Sequence, residues 1–177
     1  MDILPEILSR KTTRSFVCDG KMELKHLRIM FEAACKAPSS YNAQPWRFFY
    51  AHRDSAQWAK LFELLVPANA AWASSAEWLV LAAAYLEVDV RGTVSKNLAA
   101  HFDVGAACQN LTLQASSMGF ASAIVGGFDH KKAADLIGNH KIEPLVMIVL
   151  GSEDLASFEA RAPRKSIDEV ISSSFGY

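Results

Sequence analysis

Apolar and polar positions recur along this chain with two periods, one near four residues and one of two, and the switches between them outline its elements. Ile3, Ile7 and Leu8 stand at helical spacing and predict a short amphipathic opening helix that ends or continues at Ser9-Arg10. After the Asp19-Gly20 turn, Leu24, Leu27, Met30, Phe31 and Ala34 mark one face of a helix over 23–36, which Pro38 closes. The aromatic run over 46–51 reads as a buried strand. Residues 55–65 read as a helix, and Pro67-Ala68-Asn69 starts a short alanine-rich segment that reaches Ala76. The run over 78–84 is continuously apolar and predicts a central strand, although its alanines also suit a helix. Residues 87–97 form a polar connection holding Arg91-Gly92. Val104, Ala107, Cys108, Leu111, Ala115 and Met118 share one stripe of a helix over 102–118, with Gly119 as its cap. A strand over 121–125 leads into Gly126-Gly127-Phe128-Asp129, and a short helix over 130–137 stops at Gly138. The clearest strand lies at 145–150, and a polar tail follows with one basic knot, Arg161-Ala162-Pro163-Arg164-Lys165.

Strands near 46–51, 78–84, 121–125 and 145–150 therefore alternate with helices, which predicts one sheet covered by helices on both faces. At 177 residues, with no sharp break in composition, the expectation is a single domain, 1–177. The tail has nothing of its own to pack on and is expected to reach across to a partner subunit. A hydrophobic share of 51% fits some extra buried surface, such as a subunit interface. A net charge of -1 supplies no field for nucleic acid. The three cysteines, Cys18, Cys35 and Cys108, stand far apart and match no metal spacing, so reduced thiols in a cytoplasmic protein are expected. The first residues carry no positive segment followed by an apolar one, so no signal peptide is expected, and the apolar runs are too short for a membrane span.

The chemistry is defined first by absences. Neither GxGxxG nor GxxxxGK[ST] occurs, and there is no HExxH, CxxC or nucleophile elbow. The five histidines are scattered, and nothing looks built for general acid–base work. What remains is anion chemistry at both ends: Arg10, Lys11 and Arg14 interleaved with hydroxyls near the start, and Arg164 and Lys165 near the end. Guanidinium groups hold a phosphate through paired, charge-assisted hydrogen bonds, while a solvated basic patch is the plainer alternative. Between two prolines, Ser39, Ser40, Asn42 and Gln44 form either an ordinary capped loop or a ligand-facing one. Gly126-Gly127 is either a strand-ending turn or a place where backbone approaches a flat ligand. One explanation covers all three: a phosphorylated, planar, polar-edged cofactor.

Four stretches, taken in order, resemble the FMN-dependent nitroreductase family. They are Arg10-Lys11-Thr12-Thr13-Arg14-Ser15-Phe16, Ala37-Pro38-Ser39-Ser40-Tyr41-Asn42-Ala43-Gln44-Pro45-Trp46-Arg47-Phe48, Asp103-Val104-Gly105-Ala106-Ala107-Cys108-Gln109-Asn110-Leu111, and Ile124-Val125-Gly126-Gly127-Phe128-Asp129. The second is the most specific, and the likeness runs from about residue 7 to 170. The resemblance implies an α+β, α/β-like fold: a three-layer sandwich with a central mixed, mainly antiparallel sheet flanked by helices, and a C-terminal tail exchanged across a homodimer. It implies FMN as cofactor and NADH or NADPH as reductant. Arg10, Lys11, Thr12 and Arg14 correspond to the first FMN segment, with Arg10 on the phosphate and Arg14 toward the pyrimidine edge. Pro38, Ser39, Ser40 and Asn42 correspond to the segment reaching the flavin held mainly by the other subunit. Asn69 matches an asparagine on the isoalloxazine ring, Val125, Gly126 and Gly127 present backbone near its N5 side, and Arg164 is the C-terminal phosphate ligand.

Two positions depart from the family pattern. Thr12 stands where a serine is usual and keeps the hydroxyl. Lys165 is followed by Ser166-Ile167 rather than proline and leucine, which leaves the choice among Arg161, Arg164 and Lys165 open. The implied activity is a ping-pong reductase for an electron-poor acceptor, such as a nitroaromatic, quinone, activated alkene or flavin. No protein side chain is catalytic in it, because the flavin carries the chemistry. The alternative is a protein that binds or sequesters FMN with little turnover.

Overall fold

The computed structural model describes residues 2–157 and 162–173. Six helices among these residues, α1 (Pro5–Ser9), α2 (Leu24–Ala34), α3 (Trp58–Phe62), α4 (Pro67–Ala73), α5 (Ala100–Ser117) and α6 (His130–Ile137), surround strands β1 (Phe16–Val17), β2 (Trp46–His52), β3 (Trp78–Tyr85), β6 (Ala121–Val125) and β7 (Ile142–Glu153). A separate hairpin of β4 (Glu87–Val90) and β5 (Thr93–Lys96) lies between β3 and α5.

β3 explains the architecture. Its residues are buried from Trp78 through Ala84, as a strand covered on both faces requires. Trp78, Val80, Ala82 and Ala84 enter one apolar core with Leu27 and Met30 of α2 and Val104 and Leu111 of α5. Leu79 and Leu81 point the opposite way, into a second core with Leu61, Ala73 and Ala133 from α3, α4 and α6. Alternate residues serving opposite cores identify the alanine-rich run as a strand, and the two cores make the three-layer α+β sandwich.

The sheet order is β1-β7-β3-β2, and every strand pair in it is antiparallel. β7 carries β3 on one edge and two shorter strands in succession on the other: β6 beside Met147 to Gly151, then β1 beside Ser152 and Glu153. One parallel bridge, Thr12 to Ser122, places the N-terminal basic segment against β6. The register of β3 on β7 slips between Ala82 and Ala83, next to Pro144, which has no N–H for a ladder.

Several elements differ from the sequence expectation. The polar connection over 87–97 is a hairpin, closed by Arg91 and Gly92 with φ of 55° and 85°; paired left-handed residues match the strand twist. The helix expected over 55–65 is regular only at Trp58–Phe62. Beyond it, Leu65 bridges Phe128 and the N–H of Val66 donates to the Gly127 carbonyl at 3.2 Å, so a tertiary pairing ends the helix. β7 begins earlier and ends later than 145–150, because its ends gain partners in β3 and β1. Residues 162–173 are exposed and contain one 3-10 turn, Ile167–Glu169.

Candidate functional site

The N-terminal basic segment leaves α1 and runs along β6. Arg10 is half-buried at the helix end, where its N–H donates to the Glu6 carbonyl at 2.9 Å. Lys11 forms an ion pair with Glu153 at 2.5 Å. Thr12 lies beside Ser122, and the N–H of buried Thr13 donates to the Ser122 carbonyl at 3.2 Å. Arg14 is exposed. Arg10, Lys11 and Thr13 line a polar cleft of about 150 Å³ together with Ser116, Ser122 and Glu153. Arg164 is exposed and does not line this cleft, Lys165 is likewise exposed, and Arg161 lies outside the described residues.

At the far end of β6, the structure brings Asn69 and the Val125-Gly126-Gly127 turn together. Asn69 Nδ2 donates to the Gly127 carbonyl at 2.9 Å, which also accepts the Val66 N–H. A Cβ on Gly127 would stand 2.6 Å from Asn69 Nδ2 and 3.1 Å from a Val66 methyl, so only glycine admits this approach. Nothing lies within 4 Å of the corresponding position on Gly126, whose backbone borders open space. Asp129 then caps α6, its carboxylate accepting the Lys132 N–H at 2.9 Å, and the Asp129 N–H donates to the Leu64 carbonyl at 2.8 Å. Ser122 and Gly127 are five positions apart, about 16 Å along an extended strand. One sheet edge thus offers a polar, cationic cleft at one end and an open glycine turn at the other.

The third predicted segment, 38–44, is a turn in unusual backbone. Tyr41, Asn42 and Gln44 have φ of 53°, 52° and 46° without being glycine. Ser39 Oγ accepts the Gln44 N–H at 3.0 Å, Gln44 Nε2 donates to the Asn42 carbonyl at 3.2 Å, and Pro38 and Asn42 face solvent. The Ser40 N–H donates to Oδ2 of Asp103, a buried α5 residue to which the sequence reading gave no role. The signal for it was present, since Asp103 opens the third resemblance stretch. Three larger clefts, of about 470, 520 and 400 Å³, lie at α2 and β2, at the connection from α6 to β7, and beside the β4–β5 hairpin, and none is lined by a predicted cofactor residue.

Among the described residues no group of three or more His, Cys, Asp or Glu is placed to hold a metal ion, and no helix is long and apolar enough to cross a membrane. Burial lifts the Cys108 thiol to about 12, which removes it from nucleophilic chemistry at neutral pH.

The nitroreductase family model matches residues 7–70 and 56–152. Protein DrgA of Synechocystis sp. is 28% identical over 184 aligned positions, covering 87% of this chain and 86% of that protein. A solved oxidoreductase containing FMN is 31% identical with a TM-score of 0.81, covering 87% of this chain and 78% of its own. A nitroreductase family protein from Streptococcus pneumoniae TIGR4 shares the fold at a TM-score of 0.81 and 21% identity, covering 98% of this chain and 100% of its own. The family match spans both the basic segment along β6 and the glycine turn at its end: this chain belongs to the nitroreductase family.

Proposed function

We propose that this protein is an oxidoreductase with FMN as its resident cofactor, passing electrons from NADH or NADPH to a small electron-poor acceptor in a ping-pong cycle. Candidate acceptors are nitroaromatics, quinones, activated alkenes and free flavin. The observation that carries the reading is the β6 edge, with its cationic cleft at one end and its open Gly126-Gly127 turn at the other. These residues fit the group. Phosphate chemistry needs charge-assisted donors, which Arg10 brings to the cleft, while Glu153 compensates the charge of Lys11 and the exposed Thr12 stands next in the chain. A planar ring needs backbone without side chains, and the glycine turn supplies it. The solved relative at 31% identity is itself an oxidoreductase containing FMN.

When bound, FMN supplies the hydride and electron chemistry, which is why the chain needs no acid–base pair of its own. The residues divide the remaining work. Arg10, with Arg164 from a tail, neutralises the phosphate, and Arg14 faces the pyrimidine edge. Asn69 positions the ring and also braces Gly127, while Val125, Gly126 and Gly127 form the wall at its reactive side. Pro38, Ser39, Ser40 and Asn42 close over the flavin of the other subunit in a homodimer, with the tail exchanged between protomers. Cys18, Cys35 and Cys108 are all free thiols, which fits the cytoplasm.

The visible spectrum of the purified protein tests this. A yellow protein that bleaches on anaerobic addition of NADH or NADPH is the expected result. A yellow protein that does not bleach would make FMN sequestration the function. A colourless protein whose thermal stability ignores added FMN would overturn the reading.

A further inference from the structure

Asp103 takes no part in the reading above, yet it is 3% exposed in the first turn of the 18-residue helix α5. Burying a carboxyl is unfavourable unless a polar partner and the local field compensate it. The compensation here is the positive end of the α5 dipole and the N–H of Ser40, 3.0 Å from Oδ2 and 63 residues away in sequence. On the other side of that bond lies backbone that does not form readily by itself. Tyr41, Asn42 and Gln44 follow Ser40 in left-handed conformation, a region L side chains rarely enter. Tyr41 is 73% exposed, so core packing does not hold it there. The Ser40–Asp103 bond joins the middle of this turn to the helical layer.

We propose that Asp103 is a positioning residue for the cofactor: it latches the 38–44 turn to α5, so that Ser39, Ser40 and Asn42 stand preorganised for the partner subunit's flavin. The latch rests on the FMN reading for its purpose but not for its existence. Preorganisation makes a specific prediction, because a loop that must be ordered on binding weakens the ligand without unfolding the protein.

The test measures amide hydrogen exchange and FMN affinity on the purified full chain. Asp103→Leu removes the acceptor and puts an apolar side chain of similar length in its place, and Asp103→Asn keeps an oxygen at the same place. In Asp103→Leu the 39–44 amides should exchange faster, on the order of tenfold, and the FMN dissociation constant should rise by a similar factor. The α5 amides should stay protected, and Asp103→Asn should restore most of both losses. Wild-type exchange and affinity in Asp103→Leu, or no recovery in Asp103→Asn, would overturn the latch. If Asp103→Leu does not fold, Ser40→Pro removes the donor from the surface side. Ser39 is already extended there (φ -146°, ψ 151°), as a residue before proline must be. Faster exchange at residues 41–44 then supports the latch, and unchanged exchange sinks it. Should the wild-type protein bind no FMN, the functional reading falls, and loop exchange alone decides for or against the latch.

Discussion

At the scale of single residues, one side-chain hydrogen bond joins two segments of the candidate site 58 positions apart, Asn69 to Gly127. Because a Cβ on Gly127 would displace Asn69 Nδ2, Gly127→Ala and Asn69→Ala remove the same bond from opposite sides. Each should lower stability by about 1 kcal/mol, and the double mutant should lose less than the sum. Urea denaturation of the three variants measures this; full additivity would mean that the contact contributes nothing. Arg10 is the corresponding test of the cationic end. Arg10→Ala should remove one or two charge-assisted bonds of about 1.5–3 kcal/mol each, so FMN should bind at least an order of magnitude more weakly in a fluorescence titration. Unchanged affinity would move the phosphate site elsewhere. Arg10 and Gly127 were legible in the sequence as members of motifs, and Asn69 through the family resemblance. Their partners were not: the bond between Asn69 and Gly127, the ion pair of Lys11 with Glu153 and the burial of Asp103 all join residues far apart in the chain.

At the scale of elements, the strongly periodic segments were readable and the tertiary-determined ones were not. The α2 face, the α5 stripe and the strands at 46–51, 78–84 and 121–125 each carry enough apolar residues to announce themselves. The β4–β5 hairpin does not, since all four residues of β5 are exposed and its turn uses Arg-Gly instead of the common Asn-Gly. The shortening of α3 was hidden for a different reason, because it comes from pairing with residues 127–128 and not from any local breaker. A pH prediction belongs at this scale, for Asp19 fastens the β1–α2 connection to β7. Hydrogen bonds from Lys21 and then Ser152, the latter at 2.7 Å, hold its carboxyl down from 3.8 to about 2. A carboxyl whose pKa is depressed on folding stabilises the fold above its unfolded value, and that contribution disappears as pH falls through the folded one. The wild-type thermal midpoint should therefore fall more than that of Asp19→Asn between pH 4 and pH 2, modestly because the pair is exposed to solvent. Parallel melting curves for the two proteins would contradict this.

At the scale of the whole molecule, the isolated chain leaves apolar surface that a partner should cover. Leu98 and Phe102, at the start of α5, are 87% and 79% exposed, and Leu155 is 87% exposed beyond β7. Sedimentation at micromolar concentration should give a dimer, and dilution below its dissociation range should release FMN. A monomer that keeps the flavin tightly would refute the shared site. The position of β7 has a further consequence, in the order of events rather than in energy. This strand takes β3 on one edge and β6 and β1 on the other, so the sheet cannot close until nearly the last of the core has been made. During synthesis the residues up to β6 leave the ribosome before β7, the strand that pairs with β1, β3 and β6, has been made. They must wait for it, sheltered by local helices or by chaperones. A nascent chain arrested before Ile142 should therefore be protease-sensitive throughout, and one extended past Glu153 should become resistant in a single step.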